Sequence, residues 1–171
     1  MGQREVRKQR IKNDYELMKR MRGSVIDFAV DNEENPTNYT IYFHIRTCIG
    51  ANASGKPIYR DNSVVDLTLP LDYPFSPPVA HMRDQQPAHV NWYKDRQWCY
   101  GHWTVEEPLW SYVRRMAKTI QFAPEYTNVN SKANADCLPL WNMGLSKGWF
   151  PCDKQNLPTG DKRPSRIRII N

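Results

Sequence analysis

Hydrophobic positions in the first part of the chain follow the period of a helix. Residues 4–22 have an amphipathic pattern, which predicts a helix that ends near Gly23. Its apolar positions recur about every 3.6 residues: Val6, Ile11, Tyr15, Met18 and Met21. Basic residues occupy the other faces, so this helix is either a solvated amphipathic element or a basic recognition surface.

Downstream of Gly23 the pattern changes to that of strands. Four segments are rich in β-branched and aromatic residues and predict strands: SVIDFAV (24–30), NYTIYFHIRT (38–47), NSVVDLTLPL (62–71) and VAHM (79–82). The polar, glycine-containing stretch 49–59 is predicted to be a loop. Short sequential strands joined by turns indicate an antiparallel meander of four strands.

Helical spacing returns in the second half of the chain. The segment DYPFSPP (72–78) has three prolines and predicts a fixed extended corner. Residues 105–123 then predict a helix, with an apolar stripe at Leu109, Val113, Met116 and Ile120. A third helix is predicted near residues 130–141, where Pro139 interrupts or ends it. The order of elements indicates an α+β fold.

Length and composition predict one domain with a peripheral extension. The chain has 171 residues, enough for one hydrophobic core. Residues 1–143 contain all the predicted elements, and residues 144–171 form a C-terminal extension whose basic tip has the composition of a disordered segment. No apolar run reaches the roughly 20 residues that a membrane helix needs, and the N-terminus has no secretory apolar region. We therefore predict a cytoplasmic protein without a membrane partner.

Charge is concentrated at the two ends of the chain. The net charge is +6, with eight Lys or Arg against three acids in residues 1–22 and five against two in residues 153–171. The middle of the chain is slightly acidic. This distribution favours a basic docking face, and it disfavours nucleic acid as a partner because cations and aromatics are not interleaved on one element.

The segment HVNWYKDRQWCYGH (89–102) carries the candidate chemistry. Cys99 lies in a long loop, and the four cysteines are irregularly spaced, which is typical of reduced thiols. A reactive thiol can carry an acyl group as a thioester, and an amide such as Asn91 can stabilise the oxyanion or brace the loop. An inert buried thiol is the alternative without chemistry.

Two further alternatives for Cys99 stay open on the residues alone. A zinc site could combine Cys99 and His102 with the later Cys137 and Cys152, although their spacing is not that of a zinc finger. A Cys–His hydrolase dyad is the other alternative. Its base would be one of the four histidines, which are His44, His81, His89 and His102.

Five motifs in order resemble those of the ubiquitin-conjugating enzymes, the UBC-fold family, over residues 1–143. YPFSPP (73–78) is similar to the family's YPxxPP element, and HVN (89–91) to its HPN tripeptide. Cys99 follows His89 by ten residues, the spacing of the family's active-site cysteine. Trp103 and NSKAN (130–134) are similar to the family's tryptophan and to the start of its third helix.

The resemblance implies a UBC-like α+β fold: an N-terminal helix, a four-stranded antiparallel meander, an active-site loop and C-terminal helices. It also implies catalytic roles for three residues. Cys99 would accept a ubiquitin-like modifier from an activating enzyme as a thioester and pass it to a lysine amine, while Asn91 supports the oxyanion or the loop. His89 would hold the loop by hydrogen bonds. The family needs no metal or small-molecule cofactor.

The resemblance also implies partners. These are ubiquitin or a ubiquitin-like modifier, an activating enzyme, and a ligase or substrate protein. The YPFSPP corner and its neighbours would form the side that ligases contact. The basic first helix would dock the activating enzyme through residues such as Arg7, Lys8, Arg10 and Lys12.

This sequence departs from the family pattern near Cys99. Val90 replaces the proline of HPN, Trp103 comes only four residues after Cys99, and Tyr100–Gly101 replaces a hydrophobic–acidic pair. Candidates for an acidic residue that orients the incoming lysine are Asp136 and Glu125, with a solvated loop charge as the alternative for Glu125. Asp95 and His102 are also near Cys99 in sequence, where a surface role is favoured for both. These departures favour a divergent, prokaryotic-type member, and they leave a catalytically silent variant that only binds a modifier or partner as the alternative function.

Overall fold

The computed structural model describes residues 2–161 and shows three α-helices, two short 3-10 helices and six strands in that part of the chain. The helices are α1 (Gln3–Lys19), α2 (Leu109–Ile120) and α3 (Leu138–Ser146). The strands are β1 (Ile26–Val30), β2 (Asn38–Phe43), β3 (Thr47–Ala51), β4 (Pro57–Arg60), β5 (Ser63–Thr68) and β6 (Val79–Met82).

The main sheet is a four-stranded antiparallel meander with the strand order β1-β2-β5-β6. Its strands alternate between buried and exposed residues, since one face packs on the helices. Ile41, for example, pairs with Phe28 and with Val65, and all three are buried. The predicted number and order of strands in this sheet are therefore confirmed.

A second, two-stranded sheet occupies the stretch that we predicted to be a loop. β3 and β4 pair as an antiparallel hairpin across residues 49–59. Its turn is built from the polar residues that indicated a loop: Asn52 Oδ1 accepts the backbone N–H groups of Ser54 and Lys56, each at 3.0 Å. Gly55 has φ +73°, which glycine adopts without strain. The loop prediction was wrong because these residues form only the turn.

The core lies between the sheet and helices α1 and α2. The predicted stripe of α2 is buried as expected (Leu109, Val113, Met116 and Ile120). In the first helix Ile11, Tyr15 and Met18 are buried, whereas Val6 is 41% exposed. Helix α1 ends at Lys19, four residues before Gly23.

The third helix begins later than predicted. Residues Ala135–Cys137 form a 3-10 turn, and α3 starts at Leu138 with Pro139 in its first turn. A proline fits there because the N–H groups of the first turn have no partner within the helix. Pro139 therefore begins the helix rather than interrupting or ending it.

The chain beyond α3 folds back on the domain. The Phe150 ring stacks on Phe122 and Trp141 with centroid distances of 4.4 and 5.5 Å, and Leu157 lies in the main core. At Gly160 an added Cβ would lie 2.4 Å from the Trp110 ring, so only glycine allows this approach. The boundary at residue 143 stays a prediction. The predicted disorder of the tip concerns residues 162–171, which lie outside the described part.

Candidate active site around Cys99

Cys99 lies in the long connection between β6 and α2, next to a short hairpin-like turn. Trp92 and Trp98 form an isolated antiparallel bridge, and the Cys99 N–H donates to the Asn91 carbonyl at 2.9 Å. Trp98 N–H donates to Ala80 O at 2.9 Å, which fastens the turn to the end of the main sheet. Cys99 and Asn91, which are eight positions apart in sequence, are therefore neighbours through backbone pairing.

The Asn91 side chain is 4% exposed and pairs with one backbone position across the site. Its Nδ2 donates to the Asn128 carbonyl at 3.0 Å, and its Oδ1 accepts the Asn128 N–H at 2.9 Å. Within residues 2–161 the second Nδ2 hydrogen has no further hydrogen-bond partner. The amide thus braces the backbone at residue 128.

His89 is buried, and both of its ring nitrogens have partners. Nδ1 accepts the Asn91 N–H at 3.0 Å, so Nε2 carries the proton and lies 3.0 Å from Thr127 Oγ1. Thr127 in turn donates to the Ala123 carbonyl at 2.9 Å. Burial lowers the pKa of His89 to about 3, so the ring is neutral near pH 7. A neutral ring with both nitrogens engaged holds the loop and is not free to take a proton from Cys99.

Val90, which stands at the proline position of the family tripeptide, is 1% exposed. Its carbonyl accepts the Asn134 N–H at 3.2 Å, linking the loop to the segment before α3. Asn134 is itself buried, and its side-chain Oδ1 has no hydrogen-bond partner within the described chain.

Two residues beside Cys99 were not singled out from the sequence. Ser131 Oγ donates to Cys99 Sγ at 3.9 Å. A hydrogen bond to Cys99 also raises the pKa of the Tyr93 phenol above its ordinary value. The sequence feature that could have identified Ser131 is its position in the NSKAN motif (130–134). A narrow cavity of about 70 Å³ opens beside the cysteine and is lined by Asn91 and Tyr126 among others.

The short segment after Cys99 is held from both sides. Gly101 has φ +75°, a left-handed conformation that favours glycine. Trp103 Nε1 donates to the Pro74 carbonyl at 2.9 Å, which links the segment to the YPFSPP corner. Arg115 of α2 donates to the carbonyl of Tyr100 at 2.7 Å.

The candidate lysine-orienting residues lie in different surroundings. Asp136 forms an exposed ion pair with Lys94, and this contact lowers the pKa of its carboxyl. Asp95 accepts the N–H of Gln97 at 3.1 Å, and Glu125 is exposed in a 3-10 turn. A groove of about 390 Å³ runs past Tyr93 and contains both aspartates.

Neither a zinc site nor a Cys–His dyad at Cys99 has the side-chain arrangement that it requires within the described residues. Across residues 2–161, no three His, Cys, Asp or Glu side chains are grouped as a metal site would require. His44 is hydrogen-bonded to Asn62 at 2.8 Å, and His81 and His102 are exposed. None of the described histidines has a hydrogen bond to Cys99.

The four cations named for the first helix differ in their availability. Lys8 and Lys12 are exposed. Arg10 is 19% exposed and pairs with the buried Asp14 at 2.7 Å, and Arg7 donates to the Pro70 carbonyl at 3.1 Å. Beside Arg7 a groove of about 430 Å³ is bordered by two exposed apolar side chains of the corner, Leu71 (93% exposed) and Phe75 (62%).

The fold is similar to that of a ubiquitin-conjugating enzyme. Human ubiquitin-conjugating enzyme E2 G1 matches with a TM-score of 0.51 and 11% sequence identity, over 68% of this chain and 95% of that chain. No protein-family model and no curated protein sequence matches. The likeness at this identity is one of fold, and it confirms the predicted α+β, UBC-like class. None of the helices in residues 2–161 is both long and apolar enough to cross a membrane.

Proposed function

We propose that this chain is a ubiquitin-conjugating-type enzyme that carries a ubiquitin-like modifier on Cys99. The observation that supports this most strongly is the arrangement of the site on a UBC-like fold. The partly buried thiol is held by backbone pairing to Asn91 and lies next to a hydroxyl and a narrow cavity. A cytoplasmic location and the absence of any required metal or cofactor belong to the same proposal.

The proposed reaction has two acyl-transfer steps. The Cys99 thiolate attacks the thioester carbonyl on an activating enzyme, a new C–S bond forms, and the donor thiolate leaves. A lysine amine then attacks the Cys99 thioester. This attack forms the C–N bond and an oxyanion. The oxyanion collapses as the C–S bond breaks, the Cys99 thiolate departs, and the amine nitrogen loses its proton to solvent. The free Asn91 hydrogen supports the oxyanion, and its other contacts hold the loop.

The remaining groups position the reactants. His89 holds the loop through its two hydrogen bonds. Asp136 is the proposed acid that orients the incoming lysine, because its carboxylate stays ionised near neutral pH and borders the groove beside Tyr93. Lys8 and Lys12 are the exposed cations of α1 that would attract an acidic activating enzyme, with Arg7 and Arg10 contributing from partly buried positions. Leu71 and Phe75 would contact a ligase.

The test is a charging assay with an activating enzyme, ATP and candidate modifiers, followed by non-reducing electrophoresis. The wild-type chain should give a band that a thiol reductant removes. Cys99→Ser should give a reductant-resistant and longer-lived oxyester, and Cys99→Ala should give no band. Cys137→Ala is the matched control and should charge normally.

Other results would redirect the proposal. A thioester that survives Cys99→Ala and disappears with Cys137→Ala would overturn the site. Failure of the wild-type chain to charge with any modifier, together with retained modifier binding, would favour the silent binding variant.

A further inference from the structure

Arg115 of helix α2 contacts the chain on both sides of Cys99. Its Cζ lies 5.4 Å from the centroid of the Trp98 ring, the residue before the cysteine. Its Nη1 donates to the Tyr100 carbonyl, the residue after the cysteine, at 2.7 Å, and its Nη2 donates to the His102 carbonyl at 3.1 Å. One guanidinium therefore spans the reactive residue.

The guanidinium is itself held in place. Nε lies 2.7 Å from Glu107 Oε1, and Nη2 lies 3.0 Å from Oε2, a two-point contact that fixes the plane of the group. The Arg115 and Glu107 side chains are only 26% and 14% exposed. An oriented, partly buried pair is a firmer anchor than an exposed ion pair.

The anchored segment is the one in which this sequence departs from the family pattern. Only Tyr100, Gly101 and His102 separate Cys99 from Trp103, and two of these three carbonyls accept hydrogen bonds from Arg115. Gly101 between them is left-handed, which lets this short stretch turn without strain.

We infer that Arg115 is a positioning residue that fixes Cys99 for acyl transfer by anchoring the backbone on its C-terminal side. The planar guanidinium of Arg115 makes the contacts with Glu107 and with the carbonyls of Tyr100 and His102 at the same time. A lysine ammonium has the same charge but cannot reproduce the fork, so charge alone does not replace it. This inference rests on the proposed function, although the geometry of the anchor can be tested without it.

The first measurement is the rate at which iodoacetamide alkylates each cysteine of the full chain at one fixed pH, followed by peptide mass mapping. In Arg115→Met and Arg115→Lys we expect Cys99 to react up to about tenfold faster, because releasing the backbone after this partly buried residue exposes more of its thiol, and tenfold corresponds to the loss of one hydrogen bond to a charged group. Cys48 is fully buried and reports global opening, so its rate should stay unchanged.

The control is Arg83→Met, which removes a two-point ion pair with Asp66 on the main sheet, more exposed than that of Arg115, with contacts of 3.1 and 2.6 Å. It should leave the Cys99 rate as in the wild type. Equal Cys99 rates in the Arg115 and Arg83 variants would overturn the inference. A parallel rise at Cys99 and Cys48 would also overturn it, because it would make Arg115 a general stabiliser of the fold.

The second measurement is the charging rate at saturating activating enzyme. Both Arg115 variants should charge about 10- to 100-fold more slowly, since small misplacements of a reacting group cost about that much. The activating-enzyme concentration for half-maximal rate should stay close to the wild-type value. Normal charging of both variants would overturn the inference and leave the proposed function intact. A wild-type chain that never charges would instead refute the proposed function, while the alkylation rates would still decide whether Arg115 anchors Cys99.

Discussion

The Asn91 side chain and the Asn128 backbone are paired in both directions. The Asn91 amide donates to the Asn128 carbonyl at 3.0 Å and accepts the Asn128 N–H at 2.9 Å. The two residues are 37 positions apart, and their pairing ties the loop before Cys99 to the loop after α2. The same amide is the one proposed to support the oxyanion, so its structural and catalytic contributions need to be separated by experiment.

The substitution Asn91→Ala should lower both the free energy of unfolding and the rate of acyl transfer. The Asn128 backbone groups lose their partners, and we expect the free energy of unfolding to fall by about 1–2 kcal/mol in urea denaturation. The rate of thioester discharge to free lysine should fall by more than the loss of folded protein accounts for, because the amide hydrogen proposed to support the oxyanion is also lost. Asn62→Ala, at an exposed amide bonded to His44, is the control and should leave discharge unchanged. A variant with wild-type stability would show that the pairing contributes nothing.

The buried His89 should make stability depend on pH. Its pKa is about 3 in the folded chain, against an ordinary value of 6.5, so the unfolded chain takes up the proton first as the pH falls. Stability should therefore fall as the pH decreases from about 6.5, by up to about 1.4 kcal/mol per pH unit. Measuring unfolding between about pH 5 and pH 7 limits the contribution of carboxyl groups.

The variant that isolates this effect is His89→Gln, which cannot titrate. The slope of its free energy of unfolding against pH should be smaller by up to about 1.4 kcal/mol per pH unit, which corresponds to one proton. This difference in slope does not depend on the absolute stability of the variant. Identical slopes in the wild type and His89→Gln would contradict a neutral, buried ring.

Reversing the exposed charges of α1 should weaken docking of the activating enzyme. For the double variant Lys8→Glu, Lys12→Glu we expect the activating-enzyme concentration for half-maximal charging to rise about tenfold at low salt. The difference should shrink as salt is added, because exposed charges are screened. Lys56→Glu with Lys154→Glu makes the same change in net charge at two other exposed positions and should charge as the wild type does. A similar loss in both double variants would point to net charge instead of a docking face.

Leu157 should contribute to the stability of the whole domain although it lies in the predicted extension. It is 7% exposed in the main core, and Leu157→Ala should lower the free energy of unfolding by about 2–5 kcal/mol. Leu145→Ala, at a side chain that is 42% exposed, should cost far less. Urea denaturation of both variants would test this, and equal small losses would favour an extension that is independent of the core.

Elements whose pattern is local were predictable from the sequence. The stripe of α2 and the alternation of the main-sheet strands report which side of each element faces the core, because burial repeats with the period of the element. The hairpin β3–β4 was missed because its turn residues, Asn52 to Gly55, dominate a short segment. The start of α3 was misplaced because Pro139 is tolerated in a first turn and excluded only from a helix interior.

For the site, sequence spacing could propose Cys99, Asn91 and His89, and their catalytic roles stay predictions. Ser131 beside the Cys99 sulfur was not predictable in the same way, and neither was the hold of Arg115 on Tyr100 and His102. These contacts join residues 13 to 32 positions apart, and no periodic pattern encodes them. Local sequence selects helices, strands and turns through short-range sterics and burial period. Only the tertiary packing of α2 and of residues 130–134 against the loop that contains Cys99 decides which polar groups lie beside the cysteine.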